Sequence, residues 1–479
     1  MSLFHTQGRN FVAIYRVKRQ VLPAPTPRPT RALTPVPTPT PRLTRALLPC
    51  AFLLALMADG LIAGQAAAAA AHRSAAHPAA PAALSPQAEL GRLIFFDASL
   101  SASGRMSCAS CHSPEHAYGP PDGAAVRRGG PGLDRPGVRA VPSLRYVLNR
   151  TPVWTTPYAA NPAERVLESE PPAGGFGWDG RFNTLQAQAV YPLLDPAEMA
   201  NAGVAAVAAK LARAPYAQRF RQVFGAAVFA HPRAAFAGAL DALAQFELED
   251  TSFHPYSSRY DAYLDGQGRL TAQELRGRRL FEDPRGGNCA SCHPDRPGAD
   301  GSHPLFTDYQ FEALGVPRNP EIPANADPRW FDEGVCGPLR KDQAGATGSC
   351  GLFKTPGLRN VATRRVFFHN GRFHDLKQVL RFYVRRDTDP GQWYPPLRGG
   401  IGSGVGRGRA NGVNGVNGVN GVDKFNDLPP ALRGNVDTTD APLTRHAGQA
   451  PVWSEADIAA VAAFLATLTD RDAQPAAPP

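Results

Sequence analysis

Cys108-Ala109-Ser110-Cys111-His112 returns, residue for residue, as Cys289-Ala290-Ser291-Cys292-His293. In each copy a short turn presents two thiols with a histidine directly after the second. That spacing lets the thiols bond the vinyl groups of one haem while the imidazole meets its iron. C-x-x-C alone would also suit zinc or thiol redox chemistry. The histidine in both copies, and the lack of a Rossmann or thioredoxin-like strand pattern before either, favour two covalent c-type haems. Cys108, Cys111, Cys289 and Cys292 would attach them, with His112 and His293 as proximal iron ligands.

A longer repeat surrounds the motifs. Leu84-Ser85-Pro86-Gln87 through Asp97 matches Leu270-Thr271-Ala272-Gln273 through Asp283 at an offset of 186 residues, and each copy runs into its haem motif. The chain therefore reads as a mainly α protein of two cytochrome c-like domains, 84–266 and 268–470, each around one covalent haem and joined by long Gly/Pro-rich loops. Ser85 and Thr271 stand where helix N-caps belong. Val204 to Phe224 and Pro232 to Glu249 read as helical. Ser454 caps a last helix whose Ile458, Val461, Leu465 and Leu468 form one stripe, expected to cross the helix starting near Thr271. A four-fold Asn-Gly-Val repeat, Asn411 to Val422, is too Gly-rich to pack and reads as a mobile surface loop; 471–479 reads as a disordered tail.

With 479 residues and 43% hydrophobic content the chain can fill two or three cores, but its first part is not one of them. Residues 1–71 comprise a Pro/Thr/Arg tract, then Arg42 and Arg45, an apolar run from Ala46 to Ala58 and an Ala-rich stretch. This reads as a leader and signal peptide, too short in its apolar core for a stable membrane span, and predicts an exported, periplasmic protein. Residues 1–70 hold eight Arg/Lys against one Asp, so +7 of the net +10 lies there and only +3 remains. The charge is a targeting feature and predicts no nucleic-acid partner. Cys336 and Cys350, in a Gly-rich loop, read as a disulfide in that oxidising compartment, two buried free thiols being the alternative.

The distal sides of the irons decide the chemistry. Beyond the leader the methionines are Met106 and Met199, so the second domain has none of its own and cannot build a local His/Met iron. Its candidates are His369, His374 and Tyr383, and a tyrosinate would favour the ferric and higher oxidation states. Packing against the porphyrin is the other reading of Tyr383. The stretch from Ala117 to Trp178 holds no His, Met or Cys, and His116 follows the proximal ligand too closely to swing round. The first iron is expected to keep an open position where peroxide could bind.

The constellation resembles the bacterial dihaem cytochrome c peroxidase superfamily, including its MauG-type branch, over roughly Leu84 to Asp470. Besides the haem motifs, the resemblance rests on Gly177-Trp178-Asp179-Gly180-Arg181, on Leu194-Asp195-Pro196-Ala197-Glu198-Met199, and on Phe353-Lys354-Thr355-Pro356-Gly357-Leu358-Arg359-Asn360-Val361 leading to His369-Asn370-Gly371. It implies that Trp178 relays electrons between the haems, that Glu198 and Gln188 are polar distal residues of the peroxidatic haem, and that His369 lies near the haem interface. Where typical members place a loop histidine that closes the catalytic haem, the region around Gly129-Gly130-Pro131-Gly132 has none. Where they place methionine on the second iron, Tyr383 matches the MauG-type tyrosine ligand. The family's interdomain Ca²⁺ is less well provided for, because Ala140 stands where an asparagine side chain would bind it.

These readings predict a periplasmic dihaem peroxidase reducing hydrogen peroxide at the His112 haem, with electrons from a small cytochrome or copper protein through the His293 haem and Trp178. Two alternatives are a MauG-like enzyme that oxidises side chains of a partner protein, and a non-catalytic electron-transfer cytochrome.

Overall fold

In the computed structural model, which describes residues 83–146, 150–156, 171–397 and 421–474, Ser85 and Thr271 each cap a helix. The leader, residues 411–420 of the Asn-Gly-Val repeat and residues 475–479 lie outside the described residues. The Ser85 hydroxyl accepts from Ala88 N at 3.1 Å and starts a helix at Pro86–Phe96. Thr271 makes a full capping box with Glu274 over the helix Ala272–Glu282. Such caps satisfy amide donors that have no partner inside the helix.

The architecture is mainly helical, with two short two-stranded pairings, Arg128–Gly129 with Arg135–Pro136 and Phe311–Glu312 with Phe353–Lys354. Side chains from Leu90 to Phe253 pack in one hydrophobic cluster and side chains from Tyr260 to Leu468 in another. The first has Pro86–Phe96 crossing Pro232–Glu249, and the second has Ala272–Glu282 crossing Glu455–Ala466. Both crossings close on a glycine: a Cβ on Gly91 would lie 1.9 Å from the Ala242 carbonyl oxygen, and one on Gly277 2.0 Å from that of Ala460. Gly277→Ala is expected to cost about 1–3 kcal/mol through overpacking, read as a lower denaturation midpoint; an unchanged midpoint would mean the crossing yields freely.

Ile458, Val461, Leu465 and Leu468 are all buried, so the stripe faces the core as its periodicity predicts. The expected helix from Val204 to Phe224 is instead two, Val204–Leu211 and Ala217–Phe224. Pro215, which has no amide hydrogen, sits in the break. Residues 471–474, expected to begin a disordered tail, form a short 3-10 turn at Arg471–Ala473, where Asp472 pairs with the buried Arg145. Cys336 and Cys350 form a disulfide across a sequence separation of 14, a closure worth about 3 kcal/mol in the chain-entropy model. Among the described residues no helix is long and apolar enough to cross a membrane.

Candidate functional site: two cysteine-histidine cavities

Each C-x-x-C-H turn opens onto its own cavity. Burial lowers the pKa of His112 and of His293 to about 4, so both rings are neutral near pH 7. Nδ1 of His112 lies 3.1 Å from the Tyr118 carbonyl oxygen and Nδ1 of His293 2.7 Å from that of Phe306. A backbone carbonyl that takes the Nδ1 proton leaves Nε2 as the metal-facing nitrogen. Burial also pushes the thiols up, to about 12 for Cys108, 11 for Cys111, and 12 for Cys289 and Cys292. Zinc needs its ligand atoms gathered round one point, and neither Cys-Cys-His set has that geometry among the described residues, nor does a disulfide join either pair. The donor sets therefore fit haem better than those rivals.

The first cavity is lined by Cys108, Cys111, His112, Gln188, Glu198 and Met199, with Met106 and Glu247. Gln188 projects from the helix Leu185–Leu194, capped by Thr184. Glu198 follows that helix in a turn. The Arg128–Gly129 strand holds the turn: Gly130 N donates to the Glu198 carbonyl at 2.7 Å, and a Cβ on Gly129 would lie 2.7 Å from the Glu198 Cα. No hydrogen bond engages either the Glu198 carboxyl or the Gln188 amide among the described residues. Burial, then the neighbouring Asp195, raise the Glu198 pKa to about 7 against the pull of Arg181.

Three cavity residues escaped the sequence reading. Met106 and Met199 are packed into the first hydrophobic cluster while lining the cavity. Glu247 is buried, its Oε2 has no partner among the described residues, and burial pushes its pKa to about 8. The available signal was an acid four residues after Leu243 on an otherwise apolar helix face.

The second cavity is lined by Cys289, Cys292, His293, Trp178, His369 and Tyr383 among mainly apolar neighbours. Asp375 caps the helix Leu376–Arg385, which puts Leu376, Val379, Leu380 and Tyr383 on the cavity side. Burial, and next the Cys289 thiol, raise the Tyr383 pKa well above the usual phenol range, so a phenolate here needs a metal cation beside it. The His369 ring stacks on Phe353 at 3.4 Å, and its Nε2, 3.5 Å from Asp427, makes no hydrogen bond. His374 is exposed, hydrogen-bonds Arg365 and Glu321, and is absent from the cavity wall.

Trp178 sits in a turn that Gly177 and Gly180 make possible at φ +82° and +65°. Its Nε1 donates to the Ala140 carbonyl at 2.8 Å, while Ala140 N donates to the His369 carbonyl at 2.7 Å, so one residue joins both. Beside it Arg139 spans two buried carboxylates, 2.8 Å from Asp179 and 2.7 and 2.8 Å from Asp332. Burial disfavours the guanidinium charge, but Asp332 and Asp179 outweigh this and raise its pKa. This site offers Ca²⁺ few oxygens: Ala140 has no side-chain oxygen, its carbonyl already accepts from Trp178, and Arg139 pairs with the nearby Asp179 and Asp332. Among the described residues the grouping with metal-ligand geometry is Glu333, Cys336 and Cys350, two of which form the disulfide.

Two helical cores, each carrying a half-buried neutral histidine beside a free cysteine pair, define a protein built to hold two haems. Residues 85–269 match the model of the di-haem cytochrome c peroxidase family. The methylamine utilization protein MauG of Paracoccus denitrificans is 35% identical over 301 residues, 62% of this chain and 73% of that protein. The cytochrome c551 peroxidase of Nitrosomonas europaea is 30% identical over 294 residues, 61% and 71% of the two chains. The crystal structure of the dihaem peroxidase BthA from Burkholderia thailandensis superposes with a TM-score of 0.68 at 38% identity, over 81% of this chain and 87% of that one. The chain belongs to the di-haem cytochrome c peroxidase and MauG family, and is an oxidoreductase of the dihaem peroxidase type.

Proposed function

We propose that the protein is an exported dihaem peroxidase that reduces hydrogen peroxide in the His112 cavity with electrons supplied through the His293 cavity. One observation carries this reading: Glu198 and Gln188 converge on the His112 cavity with their polar groups uncommitted. The balance is H₂O₂ plus two electrons and two protons giving two waters. Haem, attached through the two cysteine pairs, supplies the redox chemistry. The Gln188 amide orients the peroxide, and Glu198 takes the proton of the near oxygen and returns it to the leaving oxygen. Trp178, fixed through Ala140 to the His369 loop, would relay electrons between the sites, and Tyr383 would hold the second iron. The leader and the Cys336–Cys350 disulfide support a periplasmic location. Steady-state peroxide consumption with a small reduced cytochrome or copper protein tests the reading; no consumption with any such donor would overturn it.

A MauG-like role, peroxide-driven oxidation of a partner protein's side chains, is favoured by Tyr383 in a cavity without a methionine. The non-catalytic alternative is favoured by Met199, whose side chain lines the first cavity. Arg139 replaces calcium in this account. Chelation is expected to leave the optical spectrum and peroxide turnover unchanged, and loss of turnover restored by Ca²⁺ would contradict that.

A further inference from the structure

The outer side of the Leu376–Arg385 helix forms, with Arg372, Phe373 and Trp393, a cleft of about 450 Å³ separate from both haem cavities. Three donors in its wall, Arg372 Nε, Arg385 Nε and Trp393 Nε1, are buried without a hydrogen-bond partner among the described residues. Each such donor is costly to bury unless something accepts from it. Charge indicates what would. Arg381 and Arg385 share one carboxylate, Glu455, at 2.9 and 2.7 Å, Asp375 adds a weaker influence on Arg381, and Arg372 has no ion pair among the described residues. The cleft is left with excess positive charge and unmet donors, a setting for an anion.

The same cleft is wired to the second cavity by aromatic rings. Trp393 lies 5.8 Å from Phe373 and 5.7 Å from Phe382, measured between centroids. Phe373 lies 5.6 Å from Phe368, which lies 5.9 Å from Tyr383, and Phe382 lies 6.2 Å from Tyr383. Phe368 and Tyr383 line the His293 cavity. Two packed routes thus join Trp393 to that cavity, and electrons tunnel farther through packed atoms than across gaps.

We propose that this cleft binds an anionic one-electron donor, whose carboxylate or other acceptor groups meet Arg372, Arg385 and Trp393, and that its electrons reach the second haem along the Trp393–Phe373–Phe368–Tyr383 rings. This rests on the His293 haem being the one that receives electrons. Each encounter oxidises the donor by one electron and reduces the haem by one; no bond forms or breaks, and two encounters serve one peroxide.

Hexacyanoferrate(II) is the anionic probe and hexaammineruthenium(II) the cationic one, both used with the haem-loaded full chain. Arg372→Gln and Arg372→Glu are expected to raise the KM for hexacyanoferrate(II) in peroxide-driven oxidation by about tenfold or more, with the ruthenium rate preserved. Trp393→Leu is expected to lower kcat with the hexacyanoferrate KM less affected. Arg233→Glu, an exposed charge change in the other core, serves as the control for net charge. Equal effects on both probes, or an Arg372→Gln protein with unchanged KM, would overturn the proposal. Calorimetry separates it from the peroxidase reading: one hexacyanoferrate site, lost in Arg372→Gln, supports the cleft even if peroxide turnover fails, and no such site removes it even if turnover succeeds. A parallel run with an acidic and a basic reduced cytochrome distinguishes a protein source of the anionic groups, which only the acidic one would support, from a small-molecule source.

Discussion

Replacing Glu198 with glutamine slows peroxide turnover by about 10²- to 10⁴-fold, the range of a lost acid-base group. Glutamine keeps the shape and the polarity of the turn that Gly129 and Gly130 grip, so folding and haem uptake are preserved and the loss reports on proton transfer. The pH dependence gives a second signature. With the Glu198 pKa raised to about 7, the carboxyl is neutral below that pH and ionised above it. Accepting the peroxide proton requires the ionised form, so the peroxide reaction rises with pH through about 7 and then levels. In the Glu198→Gln protein this rise disappears. Stopped-flow mixing with peroxide across roughly pH 5 to 9, a span that brackets such a group, reads both effects. A variant with unchanged turnover removes Glu198 from the mechanism.

The second large effect is on potential. Tyr383→Met is expected to raise the reduction potential of the second haem by about a few hundred millivolts, within the roughly 0.8 V that axial ligands span. A phenolate stabilises oxidised iron, whereas a thioether favours the reduced state. The cavity makes the contrast sharp, because burial opposes a free phenolate and leaves the metal as its source of stabilisation. Optical potentiometric titration follows the change. An unmoved potential would identify Tyr383 as a packing residue against the porphyrin.

Sequence carried the fold as far as its repeats and caps extend. Ser85, Thr271 and Ser454 start helices where expected, and the Ile458 stripe is buried, because caps and 3.6-residue periodicity are local. The break at Pro215 interrupts a pattern whose apolar spacing reads straight through it. At the site, the C-x-x-C-H motifs placed both cavities, and family resemblance placed Glu198, Gln188, Trp178, His369 and Tyr383 on their walls. Arg139 was not legible as a bridge because its partners Asp179 and Asp332 are 40 and 193 residues away. Met199 was read only as absent from the second domain; its place on the first cavity wall beside Glu198 depends on how the turn after Leu185–Leu194 packs. The cleft at Arg372 and Trp393 likewise forms where segments meet, with no motif of its own.

We propose two unlike haem sites: His112 would hold an iron with a position left for peroxide, whereas His293 and Tyr383 would both hold the other. Electron paramagnetic resonance of the as-isolated ferric protein reads both irons at once. A high-spin signal from one haem beside a low-spin signal from the other is the outcome predicted. Two low-spin signals, with no high-spin haem, would mean that Met199 or another ligand closes the first iron, and would contradict the account.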